Sequence, residues 1–174
     1  MSGHSHTKTI KHKKEATDQK RGRLFSKLLK AIAIASRQES NPQFNPRLRT
    51  AIEKARESNV PQENIERAIK RASENKNLEE LIVGVYGPEG TALLIEAITD
   101  NKNRAIPEIK NIINKHEAKF TEPENILWAF ENVDGRWQAK FKQLISEENK
   151  NKLNQLILGL ESQDDVQNIT TNSN

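Results

Sequence analysis

The chain contains no cysteine, which excludes disulfide bonds, thiolate metal sites and cysteine nucleophiles. It also lacks a long apolar run, since no segment approaches the roughly 20 apolar residues of a membrane-spanning helix. No apolar stretch of the kind found in a secretory signal follows the basic N-terminus. We therefore expect a cytoplasmic protein, and 174 residues leave room for one or two small domains.

Catalytic motifs are missing as well. The sequence has no phosphate-binding loop of the GxxxxGKS or GxxxxGKT type, no Ser/His/Asp set and no carboxylate pair in a catalytic context. His4, His6 and His12 lie near one another in sequence, but no carboxylate or cysteine completes a metal site with them. We expect a protein that is not an enzyme and that uses neither a cofactor nor a resident metal.

Positive charge is abundant, and it is concentrated in one half of the chain. Residues 1–75 hold 17 Lys and Arg against 8 Asp and Glu, whereas residues 76–174 hold 11 against 16. A basic half beside an acidic half is typical of a protein that binds a polyanion. Nucleic acid is the expected partner, and no membrane is expected as one.

Three helices are predicted within residues 18–75 from the spacing of apolar residues. The first begins at Asp18, the second at Asn45-Pro46 (a capping residue before proline at the first helical position), and the third at Pro61. On the first helix, four cations are expected on faces away from the apolar stripe: Arg21, Arg23, Lys27 and Lys30. We expect a flexible basic arm over residues 1–17, a helical bundle over 18–75 and a linker over 76–80.

Residues 81–174 show the period of two that is typical of strands, interrupted by two helical segments. Strands are expected at residues 81–86, 91–99, 126–131, 137–141 and 165–171, with a polar loop at residues 100–104. The order β-β-α-β-β-α-β predicts a mainly antiparallel sheet with helices on one face, so the fold class is α+β.

Nine segments, in order along the chain, resemble one known family, the YebC/PmpR proteins, which include the mitochondrial translational activator of cytochrome c oxidase. They are MSGHS at 1–5, IKHKK at 10–14, KRG and FSKL within 20–28, NPRLR at 45–49, PQENIERAIK at 61–70, YGP at 86–88, TDNKNR at 99–104, WAF at 128–130 and DDVQN at 164–168. Members of this family usually carry a third lobe inserted after the segment that ends at Phe130. Here only residues 131–136 fill that gap, so the chain resembles a short form with two lobes.

The candidate nucleic-acid-binding residues are most of the cations of the basic half and one histidine of the arm. They are Lys8, Lys11, His12, Lys13, Lys14, Lys20, Arg21, Arg23, Lys27, Arg47, Arg49, Lys54, Arg67, Lys70 and Arg71. A possible binding loop of the second lobe consists of Asp100, Asn101, Asn103 and Arg104, for which helix capping is an equal alternative. Glu89, Asp164 and Asp165 are possible members of an acidic patch, for which solubility is the favoured explanation.

The resemblance implies two mechanisms for a regulator of gene expression. One is a ribosome-associated translation factor that contacts rRNA and tRNA, and the other is a DNA-binding transcriptional regulator. We favour the first, because a long basic arm suits a folded RNA and no helix is rich in the residues that read a major groove. A third possibility is a protein-binding adaptor that uses the acidic second lobe.

Overall fold

The computed structural model of the chain describes the backbone of residues 5–74 and 77–173, and the side chains from Lys13 onward within these ranges. The chain divides into two compact units, Met1–Lys76 and Asn77–Asn174, which we call the helical unit and the mixed unit. The division lies in the segment 76–80 that the sequence analysis assigned to a linker. Among the described residues, none of the helices has the length and apolarity to cross a membrane.

The helical unit consists of three helices around a small apolar core. They are α1 (Ser5–Ala35), α2 (Pro46–Glu57) and α3 (Gln62–Lys70). The fully buried members of the core include Ile32 from α1, Leu48 from α2 and Ile65 from α3. The side-chain oxygen of Asn45 accepts a hydrogen bond from the Leu48 N–H at 3.0 Å, so α2 begins at the predicted cap.

Helix α1 begins at Ser5, well before the predicted start at Asp18. The segment 5–17, which the sequence analysis assigned to a flexible arm, is therefore helical. Its sequence lacks the apolar stripe from which helices were predicted, but its Lys, Glu and Ala residues are good helix formers and no proline interrupts them. A hydrogen bond from the Thr17 hydroxyl to the Lys13 carbonyl, at 2.9 Å, satisfies one more polar group on this solvent-exposed stretch.

The mixed unit is built on an antiparallel sheet with strand order β3-β1-β2-β6. Its elements, in chain order, are β1 (Glu79–Tyr86), β2 (Ala92–Thr99), α4 (Lys102–Lys115), β3 (Lys119–Thr121), β4 (Phe130–Val133), β5 (Arg136–Ala139), α5 (Glu147–Glu161) and β6 (Val166–Thr171). The predicted α+β class is confirmed, with β3 as an additional strand and β1 starting within the assigned linker. The strand expected at 126–131 begins only at Phe130, because residues 127–129 form a tight 3-10 turn.

The central strand β2 divides the mixed unit into two apolar layers. Leu93 and Ile95 point to the face covered by α4 and α5, whereas Ala92 and Leu94 point to the opposite face. That opposite face packs against the segment 126–130 and the hairpin of β4 and β5, with Phe130 almost fully buried. The hairpin turns at Asp134-Gly135, where the resemblance places the inserted lobe.

Candidate nucleic-acid interface

The N-terminal part of α1 is a positively charged helix that is exposed on all sides. Every residue from Lys13 to Leu24 is exposed, and we call this stretch the basic extension. It carries five cations and two acids: Lys13, Lys14, Lys20, Arg21 and Arg23 against Glu15 and Asp18. The whole helix has 31 residues and is about 46 Å long. None of the described side chains of the basic extension is buried, so they are accessible to a partner.

The C-terminal part of α1 fixes the basic extension to the bundle. Phe25, Leu28, Leu29 and Ile32 lie on one side of the helix and contribute to the core of the helical unit. At 100° per residue, four cations fall within an arc of roughly 80° on the opposite side. These cations are Lys20, Arg23, Lys27 and Lys30, of which the first two are exposed and the last two are half-buried. Core packing therefore turns a basic face of α1 outward.

Arg21 does not follow the prediction that placed it away from the apolar stripe. It precedes Phe25 by one helical turn, and its guanidinium carbon lies 5.2 Å from the centre of the Phe25 ring. A cation over an aromatic face is an attractive arrangement at this distance. Arg21 therefore lies over the Phe25 end of the core. The outward basic face of α1 consists of the other four cations: Lys20, Arg23, Lys27 and Lys30.

The basic residues of α2 and α3 are exposed but differ in how their charge is compensated. Arg67 is bound to Glu63 at 2.8 Å, an ion pair one turn apart on α3. Arg49 donates a hydrogen bond to the Pro42 carbonyl at 3.2 Å. A carbonyl is neutral, so this bond does not neutralise the positive charge of Arg49. Lys54, Lys70, Arg71 and Arg47 are also exposed. Lys8, Lys11 and His12, like His4 and His6, have side chains outside the described residues.

The predicted binding loop at residues 100–104 is the beginning of α4. Asn101 is its cap: the Asn101 side-chain oxygen accepts a hydrogen bond from the Arg104 N–H at 3.2 Å. The Thr99 hydroxyl oxygen in turn accepts from the Asn101 N–H at 3.0 Å. Asp100 and Asn103 are exposed on either side of this cap. Asn101 therefore caps α4, and residues 102–104 form the first turn of this helix rather than a loop. Binding by residues 100–104 stays a prediction.

Three carboxylates of the mixed unit bind the side chain of Arg104. Its guanidinium lies 3.0 Å from Asp165, 3.1 Å from Asp100 and 3.4 Å from Glu108. Gln163 completes the cluster by donating to Glu108 at 2.9 Å and to Asp165 at 3.2 Å. Burial disfavours the charged guanidinium, but the negative charge of Asp165 and the hydrogen bond to Asp100 outweigh it and raise the pKa of Arg104. This arrangement ties α4 to the segment before β6.

The acidic residues proposed for a surface patch do not lie together on the surface. Asp165 is 0% exposed and pairs with Arg104. Glu89 is at the surface, where its carboxylate accepts hydrogen bonds from the side-chain amide of Asn149 at 2.6 Å and from the hydroxyl of Ser146, the cap of α5, at 3.0 Å. These bonds, the one from Asn149 first, lower the pKa of Glu89. The acidic-patch interpretation was therefore wrong for Asp165.

One surface residue of the helical unit escaped the sequence analysis. Phe44, in the connection between α1 and α2, is 74% exposed. An isolated phenylalanine in a polar segment gives no sequence signal that separates exposure from burial, so only the structure identifies it. Among the described residues, no group of three or more His, Asp or Glu is placed to hold a metal ion.

Two family models match the chain, and together they cover most of it. The TACO1/YebC protein N-terminal domain matches residues 5–75, and the TACO1/YebC second and third domain matches residues 78–135. A protein of Desulfosudis oleivorans named "Probable transcriptional regulatory protein" is 49% identical over 135 residues, which are 75% of this chain and 55% of that protein. A protein of Aquifex aeolicus with the same name is 44% identical over 152 residues, or 85% of this chain and 61% of that protein.

A solved structure has the same fold. The crystal structure of the conserved hypothetical protein Aq1575 from Aquifex aeolicus superimposes with a TM-score of 0.81 at 29% sequence identity. The superposition covers 90% of this chain and 91% of that chain. In the sequence comparisons, by contrast, the chain spans little more than half the length of the curated relatives that it matches.

Proposed function

Because the chain belongs to the TACO1/YebC family, we propose that it is a non-enzymatic, nucleic-acid-binding regulator of gene expression in the cytoplasm. We propose further that it acts as a ribosome-associated translation factor that contacts rRNA and tRNA. One observation carries the proposal: the basic extension of α1 is a cationic helix with every residue exposed from Lys13 to Leu24. A helix that is polar on all faces gains no stability from core packing. A polyanion that covers this helix would compensate its excess of positive charge.

The outward face of α3 favours RNA over a sequence-reading contact with DNA. Glu63 and Glu66 share the exposed side of this short helix with Arg67, and Glu63 already pairs with that arginine. Carboxylates next to the few cations of α3 would face the phosphates that line a DNA major groove. The basic extension has no such restriction, because it needs only phosphates and the irregular surface of a folded RNA.

A charge reversal on the basic extension tests the proposal. Lys13 and Lys20 lie two turns apart on one side of α1, and both are exposed. The double change Lys13→Glu, Lys20→Glu should weaken the binding of tRNA and the co-sedimentation with ribosomes. It should also lower the slope of log affinity against log salt by about 2, one for each lost phosphate contact.

The matched control carries the same charge change in the other unit. Lys140 and Lys142 are exposed residues of the mixed unit, so Lys140→Glu, Lys142→Glu gives an equal loss of net charge. If both double variants lose binding equally, net charge alone governs the interaction and the basic extension is not the site. Binding that does not respond to salt would equally contradict the proposal.

The names of the relatives support a second candidate, a DNA-binding transcriptional regulator. Ultraviolet crosslinking in cells, followed by sequencing of the recovered RNA and DNA, separates the two. We expect reads concentrated on rRNA or tRNA, and the Lys13→Glu, Lys20→Glu variant should lose them. Reads at discrete promoters would instead establish the transcriptional regulator.

A further inference from the structure

Phe44 is an aromatic side chain that the helical unit leaves in solvent. The first 76 residues contain two aromatic residues, Phe25 and Phe44. Phe25 packs against the core of the helical unit, whereas Phe44 is 74% exposed. Burying a phenylalanine side chain contributes about 1.5 to 3 kcal/mol to folding, and Phe44 contributes little of this. A single exposed apolar residue is common, so its surroundings must decide its role.

The backbone around Phe44 is fixed by hydrogen bonds on both sides. The side-chain amide of Asn45 donates to the carbonyls of Ala35 and Glu39, at 2.7 Å each. The oxygen of the same side chain caps α2 through the Leu48 N–H. The residue after Phe44 is therefore tied to the end of α1, to the loop and to the start of α2. An exposed ring on a fixed backbone loses little conformational entropy when it binds a flat partner.

A turn precedes Phe44 in the sequence, and two arginines follow it. The N–H of Phe44 donates to the Asn41 carbonyl at 3.1 Å, which closes the turn that precedes it. The guanidinium of Arg49 donates to the carbonyl of Pro42, within the same turn, and this bond uses one of its five N–H donors. Arg47 is exposed on the first turn of α2. Two exposed arginines therefore lie within five residues of Phe44 in the sequence, and guanidinium groups suit phosphate.

We propose that Phe44 stacks on an unpaired base of the bound nucleic acid, an inference that rests on the proposed function. Every base has a π-face, and stacking on an aromatic side chain does not depend on which base is present. Single-stranded regions are held by such stacking together with cationic contacts to phosphates, whereas a paired base inside a duplex offers no free face. Phe44 therefore gives the helical unit a preference for unpaired segments that its charges alone cannot give.

The test compares single-stranded and duplex probes of about 12 nucleotides, a length within the usual range of single-strand sites. The probes are oligouridylate, its thymidine DNA counterpart and an RNA duplex. Stacking contributes about 1 to 3 kcal/mol per base, so Phe44→Ala should weaken oligouridylate binding roughly 5- to 150-fold and leave duplex binding unchanged. Phe44→Tyr should retain binding, and Phe44→Leu, which is apolar but has no ring, should not.

The outcomes separate this inference from the proposed function. If the wild-type protein binds oligouridylate and Phe44→Ala binds it equally well, the stacking inference is overturned while the proposed function stands. If the wild-type protein binds none of the probes, tRNA or ribosomes, both are overturned. An equal loss on single-stranded and duplex probes, or a lower melting temperature of Phe44→Ala, would assign the ring a structural role and also overturn the inference. If Phe44→Ala weakens binding to oligouridylate but not to the DNA counterpart, the stacked base belongs to RNA.

Discussion

Replacement of Arg104 by alanine should destabilise the mixed unit and leave nucleic-acid binding intact. Asp165 is fully buried, and the guanidinium of Arg104 compensates its charge at 3.0 Å. In the variant, Asp165 keeps the hydrogen bond from Gln163 at 3.2 Å but loses its cationic partner. The same change also separates α4 from the segment that leads into β6.

The expected loss of stability follows from how deeply Arg104 and Asp165 are buried. Removing one member of a fully buried ion pair typically costs about 3 to 5 kcal/mol, because the remaining charge is left in a poorly solvated place. The side chain of Arg104 is 40% exposed, however, so water already screens part of the interaction. We therefore expect a loss of about 2 to 3 kcal/mol. For a unit of this size, each kcal/mol lowers the melting temperature by about 4 to 8 °C, which gives a decrease of about 10 to 20 °C.

Tryptophan fluorescence during heating of the full chain provides the assay. Both tryptophans of the chain, Trp128 and Trp137, belong to the mixed unit, so the signal reports on the unit that the substitution affects. Asp100→Asn is the matched control, because Asp100 is an exposed partner of the same guanidinium and its loss should change the melting temperature little.

Binding of tRNA decides between a structural and a functional role for Arg104. We expect Arg104→Ala to bind tRNA as the wild-type protein does at a temperature where both are folded. A melting temperature within about 2 °C of the wild type, combined with a clear loss of tRNA binding, would refute this reasoning. That result would instead support residues 100–104 as a binding site.

Two further predictions concern the mixed unit. The hydrogen bonds from Asn149 and Ser146 lower the pKa of Glu89, so its carboxylate stabilises the fold fully above the ordinary glutamate pKa of about 4.3, and this contribution is lost as the pH falls through the lower folded pKa. Glu89→Gln should therefore make the melting temperature less dependent on pH below about pH 4. An unchanged dependence on pH would contradict the stabilising role of Glu89 at the start of α5. Gly159 of α5 has no room for a side chain, since an added Cβ would lie 2.9 Å from the His116 ring. Gly159→Ala should destabilise the mixed unit by about 1 kcal/mol, because overpacking of about 1 to 3 kcal/mol exceeds the gain in helix propensity of about 1 kcal/mol. Gly22→Ala is the control, because nothing lies within 4 Å of that position, and it should be neutral or stabilising; equal effects of the two changes would show that packing against His116 is unimportant.

Local signals in the sequence predicted elements whose ends are set by nearby residues. Helix α2 begins where Asn45-Pro46 predicts it, because capping is an interaction between residues three positions apart. Strand β3 escaped prediction because it has only three residues and one large apolar side chain, Phe120, so no alternation is visible. It forms because it pairs with the edge of β1, which is a tertiary interaction.

The predictions for the site residues likewise succeeded where local signals decide and failed where tertiary interactions decide. Three residues of the basic face of α1 were predicted from helical periodicity: Arg23, Lys27 and Lys30. The prediction was wrong for Arg21, which lies over the Phe25 ring. The helical state of residues 5–17 was missed because it rests on propensity and on continuation of the packed helix rather than on an apolar stripe. The pairing of Arg104 with Asp165 could not be read from the sequence, since it requires α4 and the start of β6 to meet in space.

The hairpin of β4 and β5 brings the ends of its two strands close together. Val133 and Arg136 are paired across the hairpin, so the two points at which an inserted segment would leave and re-enter lie about 5 Å apart. A compact segment whose own ends are close can be accommodated there without shifting the register of the strands beneath it. The geometry of this hairpin thus allows an extra module to be inserted between β4 and β5 while the strands keep their pairing.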